Sequence, residues 1–390
     1  MFSFSEFLVH GIVAVSLGLI TIPVSHLFYK AEASNLDGTH SSDMSGMLCI
    51  VTGGNTGIGK RTALHMCLRG AHVIIACRDK SRATQAVRDI QTEIKTTSRL
   101  RFPHSTKGKI EYMILDLSSL PSVWRFSKQF NSQYNKLDVL INNGGINTPG
   151  PTSYGLQKLF LVNYLSHYFL FRLMEPALLR AASARVVNLS SVTHHTGQPD
   201  FEMSAFSRYP RGIFAPRYSY YSDSKLYMNL LTLAINKRYY EQSGDQSGGI
   251  ISAVSVNPGA VRSDIWRSVP SLVHAPYDLF MRALYLTVDQ GSATSVFAAT
   301  STIPTFPQKH HRERKAENFC GHPLVPYVVP YKMYRDWLCF EMIGPFAQPQ
   351  WAKVSLPSSS DTLAVELWEF STGLINRIMA SEHVDFVNLR

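Results

Sequence analysis

The stretch LCIVTGGNTGIGK at residues 48–60 constrains the fold more than any other part of the 390-residue chain. Leu48 to Thr52 reads as a short buried strand. The glycines after it permit a sharp turn and a close backbone approach to a ligand, before a helix begins near Gly57. A helix N-terminus at such a turn offers unpaired backbone N–H groups to a pyrophosphate. Gly53, Gly57 and Gly59 have the spacing TGxxxGIG, which is neither the GxGxxG form nor the Walker form. Taken alone, the stretch reads as a dinucleotide site or as an ordinary glycine-rich turn.

The residues downstream alternate strand and helix patterns. A helix over 57–69 leads to a strand over 72–77, a compact β-α-β unit. Helices follow at 79–95, 121–134, 156–180 and 219–240, and strands at 110–115, 137–141, 185–189 and 250–256. Residues 96–109 read as a basic connection, and 197–218, without a clear period, as a loop or small subdomain over the cleft. The order predicts a doubly wound parallel sheet of the Rossmann type in a three-layer α-β-α arrangement, with its cleft at the carboxyl ends of the strands.

Arg78 follows the second strand directly. An acid there would accept the ribose hydroxyls of NAD, whereas an arginine can pair with the 2'-phosphate of NADP. NADP(H) is therefore expected over NAD, with Lys60 and Arg61 as further candidates for that phosphate; the bland reading is a solvated strand end. A net charge of +10 and a pI near 9.3 fit an anionic cofactor or anionic lipid headgroups. No zinc spacing or basic helix supports nucleic acid, so no nucleic-acid partner is expected.

Five cysteines make no disulfide framework in a chain of this length, and Cys49, Cys67 and Cys77 read as core residues. Cys320 and His322 lack further ligands at metal spacing, so no metal is expected. Phe7 to Tyr29 contains no Asp, Glu, Lys or Arg. At about 1.5 Å per residue it is long enough to cross a hydrocarbon core of about 30 Å. It is expected to be an uncleaved single-pass anchor, with a signal peptide or a buried helix as alternatives, and Lys30 favours a cytosolic body. Residues 30–45 then form a linker, 46–300 the catalytic domain and 301–390 an extension. That extension reads equally as a membrane-interface segment or as a packed cover for the cleft.

Seven ordered motifs resemble the classical short-chain dehydrogenase/reductase family, and within it the retinol dehydrogenase-like group with an N-terminal membrane segment. They are TGGNTGIG at 52–59, ACRD at 76–79, DLSSL at 116–120, NNGG at 142–145, VVNLSSVTHH at 186–195, YSDSK at 221–225 and NPGAVRS at 257–263. The resemblance covers about 46–300 and, more loosely, the segment near 360–378. It implies NADP(H)-dependent interconversion of an apolar alcohol and its carbonyl, of retinoid, sterol or fatty aldehyde type, at an endoplasmic reticulum membrane. The alternative is a catalytically idle NADPH-binding scaffold or sensor of the same fold. The oligomeric state stays open, although many relatives pair through the helices matching those of Asn163 and Tyr221, so the resemblance offers a homodimer as one arrangement.

Independently of that likeness, Tyr221 and Lys225 are four apart and share one helix face. A phenol is a poor proton donor and acceptor at neutral pH unless a neighbouring ammonium lowers its pKa, which Lys225 is expected to do. The resemblance assigns the remaining roles. Ser191 would hold the substrate oxygen, Ser190 would support the turn, and Asn163 would hold a water and the backbone linking Lys225 to solvent. Lys225 would also clamp the nicotinamide ribose beside Tyr221. Gly53, Asn55, Thr56, Gly57, Ile58 and Gly59 would take the pyrophosphate, and Asp116 and Leu117 would flank adenine. Asn143 and Gly144 would line the adenine ribose, with Gly145 where relatives commonly have Ala. Pro258, Gly259, Val261 and Ser263 would wrap the nicotinamide. His194 and His195, adjacent on a segment read as extended, point apart and make a poor metal pair. The sequon NLS at 188–190 reads as buried at the base of the cleft.

Overall fold

Runs 48–51 and 73–77 are apolar at every position, a pattern that suits a strand covered on both faces. In the computed structural model they lie at the centre of a three-layer α-β-α sandwich. The structure describes residues 43–101, 108–200, 219–242, 251–259, 261–262, 286–301, 327–329, 350–352, 357–382, 386 and 389. Strands β1 (Leu48–Thr52), β2 (His72–Cys77), β3 (Lys109–Ile114), β4 (Val139–Asn142), β5 (Ala184–Leu189), β6 (Ile251–Val256), β7 (Tyr327–Val329) and β8 (Gln350–Ala352) form one sheet in the order β3-β2-β1-β4-β5-β6-β7-β8. All neighbours are parallel except β7 and β8. The order reverses between β1 and β4, and in such sheets ligands bind outside the strand ends at that reversal.

Alternate residues of each strand feed two separate cores. Ile50, Ile74, Leu140, Val186 and Ala253 pack under α3 (Leu120–Gln133), α4 (Ser166–Leu179, entered through a π-helical turn at Phe160–Leu165), α5 (Ser219–Gln242) and α7 (Asp361–Ser381). Val51, Val73, Ile141, Val187 and Val254 pack under α1 (Gly57–Leu68), α2 (Lys80–Arg101) and α6 (Val288–Thr300). The period of two along each strand is what divides the layers.

Three local differences from expectation have physical reasons. Helix α2 runs on to Arg101, because no Pro or Gly interrupts the chain before Pro103. Strands β7 and β8 come from 301–390 and extend the sheet beyond β6; each is three residues long, too short for a readable alternation. Helix α6 is closed by a capping box, Thr287 Oγ accepting from Gln290 N and Gln290 Oε1 accepting from Thr287 N.

The expectations of a transmembrane anchor, a lipid-membrane partner and a single-pass endoplasmic reticulum location are corrected. Among the described residues no helix is long and apolar enough to cross a membrane. The long helices carry charges along their length, such as Asp223, Lys225, Lys237 and Arg238 on α5. Residues 7–29 themselves lie outside the described residues, as do 201–218 and most of 302–356. The homodimer through α4 and α5 that the resemblance offers has no support here: helix α7 of the same chain packs across both. Leu367, Leu374, Ile375 and Met379 enter their core, Tyr164 bonds Ser371 Oγ at 2.8 Å and Tyr168 bonds Thr372 Oγ1 at 2.6 Å.

Candidate active site

The turn after β1 is held by glycines that no other residue could replace without displacement. Gly53 and Gly57 have φ of +64° and +55°, the left-handed region. A β-carbon on Gly59 would sit 2.4 Å from Asn143 Nδ2 and 2.6 Å from the carbonyl of Gly53. One on Gly53 would sit 2.9 Å from Gly144 Cα, and one on Gly144 2.7 Å from Leu117 Cδ1. The first turn and the loop after β4 are therefore in backbone contact. Helix α1 begins after Thr56 in an extended conformation, with no side chain capping it and no acid in its first turn. Its N-terminus, at half-buried Gly57 and Ile58, is suited to an anion.

Arg78 lies exposed at the end of β2, with no ion-pair partner among the described residues. Lys60 and Arg61, the other candidates for a phosphate, are engaged elsewhere. Lys60 pairs with Asp89 at 2.5 Å, and Arg61 pairs with Glu93 at 2.9 Å and with Asp289. Asp116 Oδ1 accepts from the backbone N and the hydroxyl of Ser118, which fixes the bend after β3 beside half-buried Leu117.

Thr52 fastens the loop after β4. Its Oγ accepts from the N–H groups of Asn143 at 2.9 Å and Gly144 at 2.8 Å, while Asn143 Nδ2 donates to the Thr52 carbonyl at 2.7 Å. Asn163, in the π-helical turn, binds the backbone of Ile146 on both sides, accepting from its N at 2.9 Å and donating to its O at 3.0 Å. It also donates to Ser224 Oγ at 3.1 Å. An alanine at Gly145 would bring its β-carbon to 3.3 Å from Asn163 Oδ1, so the glycine gives Asn163 room rather than a special backbone angle.

At the far end of the cleft, Ser191 caps a 3-10 turn (Val192–Thr196), its Oγ accepting from Thr193 N at 3.3 Å, and its side chain lies near that of Tyr221. Lys225, buried one turn along α5, donates to the carbonyl of Leu189 at 2.9 Å and holds its Nζ 5.5 Å from the Tyr221 ring centre. Burial lowers its pKa to about 8. Tyr221 goes the opposite way to expectation: burial raises it to about 12, with Ser191 opposing the rise. The lysine is near enough to reach the ring, but the loss of hydration dominates.

Ser190 is buried and bonds the Lys225 carbonyl at 2.9 Å, a structural contact. The sequon asparagine Asn188 is fully buried between Asn142 and Thr232, so it is closed to modification. His194 and His195 lie on the 3-10 turn rather than on an extended segment, with ring centres 4.0 Å apart. Among the described residues no cluster of three metal-ligating side chains exists. Asn257 Oδ1 accepts from Gly259 N at 2.9 Å and shapes the turn at half-buried Pro258, where Gly259 has φ +82°. Val261 is buried and bridges to Leu286, whereas Ser263 lies outside the described residues.

Two residues join these pieces that sequence reasoning did not single out as site residues, Thr52 and His167. His167 lies fully buried four residues after Asn163, and the only readable sign was that spacing. A cavity of about 500 Å³ bounded by His72, Lys109, Tyr134 and Lys136 opens at the amino ends of β1–β3, the opposite end of the strands, and belongs to no part of this constellation.

A family model described as short chain dehydrogenase matches residues 48–207. Human retinol dehydrogenase 12 is 33% identical over 296 residues, 73% of this chain and 84% of that protein. The WW domain-containing oxidoreductase of Gallus gallus is 32% identical over 289 residues, 72% of this chain but only 64% of its own length. Among solved structures, an uncharacterized protein from Mycobacterium paratuberculosis shares the fold with a TM-score of 0.60 and 24% identity, covering 87% of this chain and 96% of that one.

Proposed function

The chain belongs to the short-chain dehydrogenase/reductase family, NAD(P)-dependent oxidoreductases acting on CH–OH or C=O groups, and we propose that it uses NADP(H) to interconvert an apolar alcohol and its carbonyl at Tyr221, Lys225, Ser191 and Asn163. The observation that carries this reading is the Lys225 ammonium 5.5 Å from the Tyr221 ring centre, with Ser191 at the head of the 3-10 turn near enough to oppose the rise in the pKa of the phenol. A proton donor, an oxygen holder and a cation stand together there, at the strand ends where the glycine turn opens.

The residues fit a dinucleotide. The glycine cradle would be filled by any β-carbon at Gly53, Gly59 or Gly144, and the open N-terminus of α1 suits a pyrophosphate over Gly53, Asn55, Thr56, Gly57, Ile58 and Gly59. Arg78, free of ion pairs among the described residues, would take a 2'-phosphate. Asp116, Leu117, Asn143, Gly144 and Gly145 would line the adenosine side, and Lys225, Pro258, Gly259, Val261 and Ser263 the nicotinamide side. The cofactor, when bound, supplies or accepts the hydride.

In the reducing direction Tyr221 gives its hydroxyl proton to the oxygen of the substrate as negative charge gathers there, and in oxidation it takes that proton back. Ser191 holds the same oxygen by a hydrogen bond that strengthens with its charge. Lys225 stabilises the phenolate that Tyr221 becomes. Asn163 contributes by fixing the loop at Ile146 and, through Ser224, the start of α5.

An apolar substrate is favoured because the relatives include a protein named for retinol. Purified protein supplied with retinal, steroid ketones and fatty aldehydes should consume NADPH with at least one of them, faster than NADH. Turnover of none would overturn the substrate reading. Arg78→Glu should raise the KM for NADPH by about 10- to 100-fold, the loss of one charge-assisted contact and its replacement by repulsion, and leave NADH unaffected or improved. An unchanged cofactor ratio would remove Arg78 from phosphate recognition.

A further inference from the structure

Thr52 is the last residue of β1, directly before the glycine turn, and His167 lies in the first turn of α4. Thr52 Oγ receives two N–H donors, from Asn143 and Gly144, which engage both of its lone pairs. Its single proton can go to the Ile141 carbonyl at 3.3 Å or to His167 Nε2 at 2.9 Å. His167 Nδ1 lies 3.0 Å from the carbonyl oxygen of Asn163, which can only accept, so Nδ1 carries the ring proton. In a neutral ring Nε2 then accepts, and Thr52 is its donor; the tautomer follows from the network. Complete burial, reinforced by the nearby charge of Lys225, lowers the His167 pKa to about 4. A second ring proton would face Thr52 Oγ, which has no lone pair left to receive it.

We infer that His167 is a positioning residue, whose neutral ring ties the nucleotide-binding turn to the helix that carries Tyr221. The tie is a continuous series of bonds, buried except for the last, which is half-buried. It runs from Thr52 to His167, from His167 to the Asn163 carbonyl, from Asn163 Nδ2 to Ser224 Oγ, and from Ser224 Oγ to the Tyr221 carbonyl at 2.7 Å. Its effect is to hold the distance between the phosphate cradle and the reacting hydroxyl, which a bound dinucleotide must span. The role rests on the oxidoreductase reading above. A chain of contacts becomes a coupling only if its members act together, so the test is a mutant cycle.

The full chain is compared as wild type, His167→Phe, His167→Gln, Thr52→Val and the Thr52→Val/His167→Phe pair, with NADPH affinity read from nucleotide fluorescence and kcat from the carbonyl turned over. Phe keeps the ring but neither donates nor accepts, and should weaken NADPH about tenfold and lower kcat about tenfold, as expected for a broken buried bond. Gln retains a donor and an acceptor, and should recover most of both losses. The double variant should be little worse than the worse single one. A His167→Phe protein that loses only thermal stability, with NADPH affinity and kcat as wild type, overturns the proposal, as does strict additivity. If His167→Phe does not fold, the cycle runs on Thr52→Val and His167→Gln with the same readouts. The affinity arm needs no turnover, so it decides the role of His167 even if the catalytic reading fails.

Discussion

Replacing Tyr221 with Phe should reduce kcat by about 10³-fold, within the range supplied by a positioned proton donor, while NADPH affinity stays within about threefold. The substitution removes one oxygen. The ring remains in the half-buried position beside Lys225, whose bond to the Leu189 carbonyl at 2.9 Å does not involve it. What disappears is the hydroxyl, and with it the proton that the substrate oxygen must receive. Stability should fall by only about 1 kcal/mol, the net worth of one hydrogen bond. Stopped turnover combined with intact cofactor binding separates a proton donor from a residue that merely shapes the pocket. Unchanged turnover would defeat the mechanism and revive the reading of a cofactor-binding protein without catalysis.

The elements that bring Tyr221, Ser191 and the glycine turn together were legible in the sequence because each has a strong local signature. Short apolar runs at 48–51 and 73–77 mark β1 and β2, Val186 and Val187 between polar neighbours mark β5, and the glycines mark the turn. What stayed hidden depends on contacts between distant segments. Strands β7 and β8 exist because the edge of β6 offers unpaired backbone groups, with registers Ser255 to Tyr327 and Val256 to Val328 that no local pattern encodes. His167 looks like an ordinary histidine on an apolar helix until Thr52, 115 residues away, is placed against it. The π-helical turn at Phe160–Leu165 likewise leaves no composition mark, although it sets where Asn163 meets Ile146. Tyr221 shows the same limit in electrostatics. The spacing to Lys225 predicts attraction, but the sign of the pKa shift is decided by burial, a property of the whole fold.

Lys225 carries the second large effect, and it acts in opposite directions on activity and stability. Its pKa is lowered from the usual 10.5 to about 8 because burial strips water from the ammonium. At neutral pH the folded protein holds that charge at a cost of about 3 kcal/mol, by the free energy equivalent of such a shift. Lys225→Met removes the charge but also leaves the Leu189 carbonyl without its donor, a loss of about 1–2 kcal/mol. The variant should therefore be about 1–2 kcal/mol more stable than wild type at pH 7, read from urea midpoints. The direction with pH follows from proton binding. Between about 8 and 10.5 the unfolded chain binds more protons at this site than the folded one, so wild-type stability rises with pH there. The advantage of the variant is full below pH 8, shrinks through that window, and above 10.5 has turned into a deficit of about 1–2 kcal/mol, the bond to Leu189 that a neutral lysine still makes. Turnover should fall by about 10²–10³-fold, since nothing then stabilises the phenolate left on Tyr221 after proton transfer. Wild-type reduction should itself decline above about pH 8 as Lys225 loses its charge. A stabilised, inactive variant whose stability gain vanishes at high pH would identify Lys225 as a residue kept at the expense of the fold. A variant destabilised at every pH would show that the ammonium is better solvated than its 6% exposure indicates.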